Sequence, residues 1–101
     1  MSTIFNEEPI HREDVLTMYG FIKKITELGV KLPTLMFSDN GTVGVYWDDN
    51  VSYADVDLER AGKLFAIYTR FRPDHTDFFA EFTVDEVNQE WVNTHLLAFK
   101  E

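Results

Sequence analysis

The chain has no cysteine, which excludes a disulfide framework, a thiolate zinc site and a cysteine nucleophile. It also lacks any apolar run long enough to cross a bilayer. Its first residues, MSTIFNEEPIHRED, are acidic, whereas a secretory signal would be basic and then apolar. We therefore expect a cytoplasmic protein with no membrane partner, whose core stabilises the fold without cross-links.

No internal repeat, low-complexity segment or linker is present, and 101 residues suffice for one domain but not for two. Apolar residues make up 45% of the chain and aromatic residues 15%, including nine Phe. That is too much core material for a disordered chain, even at a net charge of −9. Residues 1–101 are therefore predicted to form a single acidic α+β domain.

The first predicted element is a helix over residues 12–28, because its apolar residues recur at intervals of three and four. Gly29 follows as a suitable C′ residue. Gly20, in the interior, is interpreted either as a site of close approach by another element or as a tolerated weak position. The predicted buried face consists of Val15, Met18, Tyr19, Ile22 and Ile25.

Extended segments separated by turn sequences fill the middle of the chain, beginning after the helix-breaking Pro33. The predicted strands cover residues 34–38, 42–47, 51–58, 64–71 and, as a short fifth strand, 77–82. Turns are predicted at 39–41, 60–63 and 72–74, and the stretch from Gly41 to Gly44 is interpreted as hairpin punctuation. The pattern predicts an antiparallel β-meander of four to five strands.

The quartet TVDE at residues 83–86 is a capping box, flanked by Phe82 and Val87 as its hydrophobic staple. It predicts a C-terminal helix that begins at Val84. We expect at least one of the two helices to pack on one face of the sheet. The predicted buried stripe of the second helix consists of Val84, Val87, Trp91 and Ala98.

The stretch WDDNVSYADVDLE, residues 47–59, carries five carboxylates and no basic residue, yet its apolar positions alternate as in a strand. Alternation directs Ala54, Val56 and Leu58 towards the core. Asp55, Asp57 and Glu59 are then predicted to share an exposed face with Tyr53, beside Tyr46 of the neighbouring strand. Apart from solubility and edge protection, the five acids between Asp48 and Glu59 have no evident structural purpose.

A metal loop is one explanation of this acidity, since Asp48, Asn50, Ser52 and Glu59 match ligand positions of a calcium loop. The template requires glycine at its sharp bend, where this chain has Tyr53. The three histidines, His11, His75 and His95, are not paired at ligand spacing. We therefore predict no calcium or zinc site and no cofactor.

Catalysis is also not indicated, because no sequence feature marks a cleft, a nucleophile elbow or a glycine-rich phosphate loop. We expect the protein not to be an enzyme. Trp47 and Trp91 are predicted to fill the core and His95 to lie at its rim. Tyr46, Tyr53 and Tyr68 are the preferred surface aromatics, because their strands are amphipathic.

A net charge of −9 repels nucleic acid and anionic membranes, and it attracts basic protein surfaces and speeds encounter with them. The leading hypothesis is a non-enzymatic protein-binding domain, an inhibitor or modulator that engages a basic partner and binds no nucleic acid directly. The predicted partner-binding residues are Tyr46, Asp48, Asp49, Tyr53, Asp55, Asp57 and Glu59.

The run LPTLMFSDNGTVGVYWDDNVSYADVD, about a quarter of the chain, resembles the helix–proline–strand–turn–strand layout of uncharacterised bacterial and phage proteins. In size and charge the chain is similar to phage anti-defence proteins, anti-CRISPRs among them. This resemblance implies an inhibitor and assigns no residue a role. Two alternatives stay open: a small-ligand-binding or enzymatic accessory domain with a helix–sheet pocket, and a structural protein that self-associates, for example as a homodimer.

Overall fold

The computed structural model describes residues 12–37, 42–59 and 64–101, and it confirms the predicted α+β architecture. An N-terminal helix is followed by five strands and a short C-terminal helix. The elements are α1 (Arg12–Glu27), β1 (Thr34–Phe37), β2 (Val43–Asp48), β3 (Ser52–Leu58), β4 (Phe65–Phe71), β5 (Thr76–Phe82) and α2 (Gln89–His95).

The five strands form one antiparallel sheet in the order β1-β2-β3-β4-β5, which is the predicted meander. Each strand boundary lies within one residue of its predicted position. The turn predicted at 72–74 is a 3₁₀ turn, Arg72–Asp74, whereas the turns predicted at 39–41 and 60–63 lie outside the described residues. Because β1 and β5 are the first and last strands of the order, they form the two sheet edges.

Both helices pack on the same face of the sheet, around Phe21 of α1. The Phe21 ring lies 5.2 Å from the ring of Phe65 and 5.7 Å from that of Phe82, which are partners in register on β4 and β5. It also meets the Trp91 ring of α2 edge-on at 6.3 Å. The opposite face carries no helix from the described part of the chain, so the sheet has one covered face and one open face.

The two tryptophans extend this core, as predicted. Trp47 is buried, its ring stacks on Phe99 at 5.7 Å, and its indole N–H donates to the Lys31 carbonyl at 2.9 Å. Trp91 is partly buried and lies 4.6 Å from the ring of Phe82. Neither indole is therefore free to act as an exposed binding anchor.

The first helix differs from its prediction in which aromatic residue it buries. Met18, Phe21, Ile22 and Ile25 are buried, whereas Tyr19 is 51% exposed, so the placement of Tyr19 in the core was wrong and Phe21 was missed. The buried residues occupy a sector about 100° wide, and Tyr19, one residue step of about 100° from Met18, falls outside it. Its position also keeps the hydroxyl in water.

Two glycines, Gly20 within α1 and Gly29 just after it, have different roles. Gly29 has φ +97° and ends the helix as predicted: its N–H donates to Thr26 O at 3.0 Å, and Val30 N–H donates to Ile25 O at 3.0 Å. This pair of bonds is a Schellman motif, and the buried Ile25 and Val30 supply its apolar contact. At Gly20 a Cβ would meet nothing within 4 Å, so the interpretation as a close approach was wrong.

The C-terminal helix begins five residues later than predicted. The capping box is present, with the Thr83 N–H donating to the Glu86 carboxylate at 2.9 Å, but it closes only the 3₁₀ turn Val84–Glu86. Val87 is extended and almost fully buried, because packing of the staple residue into the core interrupts the helix there. Residue 89 then begins α2, capped by the side-chain oxygen of Asn88, which accepts from Trp91 N–H at 2.9 Å.

The buried stripe of this region changes accordingly. Val87 is buried as predicted and Trp91 and Val84 are partly buried, but Ala98 is exposed. The core also contains three residues of the C-terminal segment that the prediction missed: Val92, Leu96 and Phe99.

We predict that Asn88→Ala lowers the free energy of unfolding by about 1 kcal/mol, because it removes the cap of α2. From the sequence alone, Thr83→Ala is also expected to lower the free energy of unfolding by about 1 kcal/mol. In the structure its capping box closes a single 3₁₀ turn, so we expect a smaller loss than for Asn88→Ala. Chemical denaturation of the two variants and wild type gives the comparison. A larger loss for Thr83→Ala than for Asn88→Ala would contradict the observed helix start.

Candidate partner-binding face

The open face of the sheet is built from three rows of side chains that cross β2, β3, β4 and β5. Strand alternation directs these residues away from the helices, and the antiparallel register sets them opposite one another. From the β2–β3 hairpin towards the other end, the rows are Asp48–Tyr53–Arg70–Asp77, Tyr46–Asp55–Tyr68–Phe79 and Gly44–Asp57–Ala66–Glu81. We call these twelve residues the open face.

The structure confirms the alternation predicted for β3. Ala54, Val56 and Leu58 are buried on the helix side, which leaves Asp55 and Asp57 on the open face. Of the seven predicted partner-binding residues, Tyr46, Asp48, Tyr53, Asp55 and Asp57 lie together in the rows just defined. Asp49 lies in the β2–β3 hairpin, and Glu59 directly follows the last residue of β3.

Three tyrosine rings form a continuous cluster on this face. Tyr53 lies 6.4 Å from Tyr46, nearly parallel to it, and 6.3 Å from Tyr68, tilted by 56°. Burial, then a hydrogen bond to the Asp55 carboxylate and the charges of nearby acids, raise the pKa of Tyr53 to about 12. The phenol therefore stays protonated at neutral pH beside the Asp55 carboxylate.

Asp55 is more enclosed than the sequence predicted. We expected an exposed carboxylate, but it is only partly exposed, because Tyr46 and Tyr68 lie directly opposite it on the two neighbouring strands. Burial raises the pKa of Asp55, and the hydrogen bond from Tyr53 opposes that rise. Asp55 is thus a carboxylate with tyrosines on three sides.

Asp57 lies in the next row and is exposed. Although the residue as a whole is exposed, its carboxylate lies over the backbone of Gly44, and the loss of hydration there, followed by the negative charges of Asp55 and Glu59, raises its pKa. No basic side chain contributes to the pKa of either Asp55 or Asp57 in the described part of the chain. The anionic forms of these two groups are therefore less stable than they would be in water, and a cation brought from outside would stabilise both.

Gly44, which lies opposite Asp57, makes room for this carboxylate. A Cβ at Gly44 would collide with a carboxylate oxygen of Asp57 and would lie 3.0 Å from the carbonyl oxygen of Val56. Gly44 is inside β2 and buried, so its interpretation as hairpin punctuation was wrong. The glycine is required because the Asp57 side chain extends over the neighbouring backbone.

The hairpin end of the open face is electrostatically different. Asp48 binds Arg72 through both carboxylate oxygens, at 2.9 and 3.3 Å, and the Arg72 guanidinium lies 5.9 Å from the centroid of the Tyr53 ring. The hydrogen bond from Arg72, followed by one from Asn50 N–H, lowers the pKa of Asp48. Arg70 and Asp77 form a second, longer pair at 3.6 Å.

Asp49 shapes the hairpin itself. Its side-chain oxygen accepts from Val51 N–H at 3.0 Å and from Ser52 N–H at 2.6 Å, in a loop where Asn50 has φ +75°. These bonds lower the pKa of Asp49. The expectation that the five acids lack a structural purpose was therefore wrong for Asp48 and Asp49, because both stabilise the β2–β3 hairpin.

Among the described residues, the negative charge beside this face is paired with basic side chains at one end only. Asp48 and Asp77 are paired with arginines at the hairpin end. At the other end, no ion pair with a described basic residue involves the remaining acids. These are Asp55, Asp57, Glu59 and Glu81.

Sequence reasoning missed part of this face. It selected Tyr68 as a surface aromatic but did not include it in the binding set, and it omitted Phe79, which is 62% exposed, and Glu81. A usable signal was present: residues 77, 79 and 81 alternate as a strand, so they share a face. What was missing was the register that sets Phe79 opposite Tyr68.

Two of the surface depressions border the open face, one at Tyr46 and Asp48 and the other at Tyr53 and Arg70. A groove of about 520 Å³ is lined by Lys31, Trp47, Asp49 and Phe99 among others. A smaller one, about 210 Å³, separates α2 from the sheet and contains His95. Burial lowers the pKa of His95, whose ring contacts are the apolar faces of Phe78, at 5.2 Å, and Trp91. His95 therefore lies at the rim of the core, as predicted.

Comparison with known proteins adds no functional information: no family model, no curated protein and no solved structure matches this chain. Within residues 12–37, 42–59 and 64–101, neither helix has the length and apolar character needed to cross a membrane. Over the same residues, no three His, Asp or Glu side chains converge as metal ligands do.

Proposed function

We propose that this protein is a non-enzymatic protein-binding domain that engages a basic partner through its open face and thereby inhibits or modulates it. Inhibitors of the phage anti-defence type, immunity proteins and nucleic-acid mimics work in this way. The observation that supports the proposal is the set of carboxylates beside the tyrosine cluster that no described basic residue pairs with, on a sheet face that no described element covers.

Plain solvation is the competing explanation of the acidic face, and the aromatic residues argue against it. A sheet face that only meets water is normally polar throughout. Here Phe79 is 62% exposed and three tyrosine rings lie in contact beside it. Aromatic residues are enriched at the centre of protein interfaces, where their rings provide contact area, and charged groups around them help to orient the partner.

The partial burial of Asp55 further favours binding. A carboxylate loses hydration when a partner covers it, and this cost often cancels the gain from a new ion pair. Asp55 has already lost part of its hydration within the folded chain, as the direction of its pKa shift indicates. The remaining cost on binding is therefore smaller than for a fully solvated acid.

We predict that the double substitution Asp55→Asn, Asp57→Asn slows association with a basic partner captured from the native host by roughly threefold to tenfold at low salt. The difference should shrink at high salt, because screening removes the attraction. The free energy of unfolding should stay within about ±0.5 kcal/mol or rise slightly, since like charges are removed from one strand face.

The matched control is the double substitution Glu13→Gln, Glu27→Gln, which removes the same charge from exposed positions of α1, in the layer behind the sheet. Association rates measured for both variants and wild type at two salt concentrations separate a local effect from net charge. Equal slowing by the two variants, or no slowing by either, would show that the open face does not guide the partner.

Self-association is a second candidate function, favoured by the edge strand β5. This strand exposes Phe78 on the helix side, at 44%, and Phe79 on the open face. An exposed apolar edge strand can pair with the same edge of a second copy. Light scattering over a range of protein concentrations tests this, and a monomer at all concentrations would exclude it.

A further inference from the structure

We infer that the partner presents an arginine side chain, and that the row Tyr46–Asp55–Tyr68 receives its guanidinium. This inference rests on the proposed function and names the chemistry of the partner at that same face. Its basis is the arrangement of one carboxylate between two tyrosines that lie opposite it on the neighbouring strands, with the ring of a third tyrosine in contact with both.

The molecule contains an internal example of the same interaction. One row away, the Arg72 guanidinium binds Asp48 through both oxygens and lies over the Tyr53 ring at 5.9 Å from its centroid. Tyr53 belongs to both arrangements, because its ring also contacts the rings of Tyr46 and Tyr68, which lie on either side of Asp55. At Asp55 the carboxylate and the rings are repeated, but among the described residues the arginine is missing.

A guanidinium suits this row better than an ammonium does. It is planar, so it can stack on a tyrosine ring while it donates two parallel hydrogen bonds to a carboxylate. It is also more weakly hydrated, so it loses less on entering a half-buried site. The Asp55 carboxylate has two accepting oxygens and no described basic side chain beside it, which leaves lone pairs for an approaching donor.

The neighbouring charges favour the same ligand. Asp57 lies next to Asp55 along β3, and Glu81 lies two strands away from Asp57 in the same row. A partner segment with further basic residues would therefore find acids along the row beyond the arginine. The row is flanked by Phe79, whose exposed ring offers an apolar surface to the methylene stem of the arginine.

The test compares two synthetic peptides of equal length and charge, one with arginine and one with lysine as its basic residue, titrated against the intact protein by calorimetry at low ionic strength. The arginine peptide should bind about threefold to fivefold more tightly. A third peptide with asymmetric dimethylarginine keeps the charge but blocks the bidentate hydrogen bonds. It should bind like the lysine peptide, and this arm needs no protein variant.

Two protein variants locate the site. Tyr68→Leu should remove the preference for arginine, whereas Tyr19→Leu, an exposed tyrosine on α1, should leave it unchanged. Asp55→Asn should weaken binding of both peptides. A preference that survives Tyr68→Leu would overturn the assignment of this row.

The outcomes also separate this inference from the proposed function. Equal affinity for the arginine and lysine peptides, with both weakened by Asp55→Asn, would overturn the arginine inference and leave an electrostatic binding face. Absence of binding by either peptide would count against both.

Discussion

Replacing Phe21 with alanine should lower the free energy of unfolding by about 3–5 kcal/mol, the largest effect we expect from a single substitution. The Phe21 side chain is fully buried and joins the two helices to the sheet through rings on β4, β5 and α2. Its removal leaves a cavity where both helices meet the sheet, and the surrounding structure can relax only partly to fill it.

Thermal and chemical denaturation measure this effect, and Tyr19→Ala is the matched control. Tyr19 lies two residues earlier on the same helix and is 51% exposed, so its loss should change stability by no more than about 0.5 kcal/mol. For a domain of this size, each 1 kcal/mol corresponds to a shift in Tm of about 4–8 °C. Similar losses for the two variants would contradict the burial of Phe21 and the exposure of Tyr19 on α1.

Gly44→Ala should lower the free energy of unfolding by about 1–3 kcal/mol, although alanine is the smallest possible addition. Its Cβ would collide with the Asp57 carboxylate and lie 3.0 Å from the Val56 carbonyl oxygen and 3.1 Å from the Met36 methyl. The Asp57 and Met36 side chains can move, but the Val56 carbonyl belongs to the β2–β3 ladder and cannot move without weakening it.

A second substitution tests this cause. Adding Asp57→Ala to Gly44→Ala should recover part of the loss, because it removes the nearest clashing atom, while the clash with the Val56 backbone remains. Gly20→Ala is the matched control: it makes the same change in open space on α1 and should raise stability by about 0.5–1 kcal/mol. A neutral Gly44→Ala would show that Asp57 does not need the space over this glycine.

Local patterns were sufficient to predict most of the elements. The spacing of Met18, Ile22 and Ile25 predicted α1, and Gly29 predicted its end, because both depend on contacts within a few residues. Alternation in β3 assigned Val56 to the core for the same reason. Where a local signal competed with the core, it failed: the capping box at 83–86 could not extend a helix through a residue that packs inside.

The sequence by itself determined the acidic character of this protein, the order of its elements and the face of β3 that carries the carboxylates, because each of these follows from composition or from neighbours along the chain. Only the tertiary structure decided which of those charges pair with a described basic residue. Arg72 neutralises Asp48 from 24 residues away, and Tyr68 encloses Asp55 from the next strand. Such pairs depend on strand register, which is settled by long-range packing of the whole sheet against its two helices.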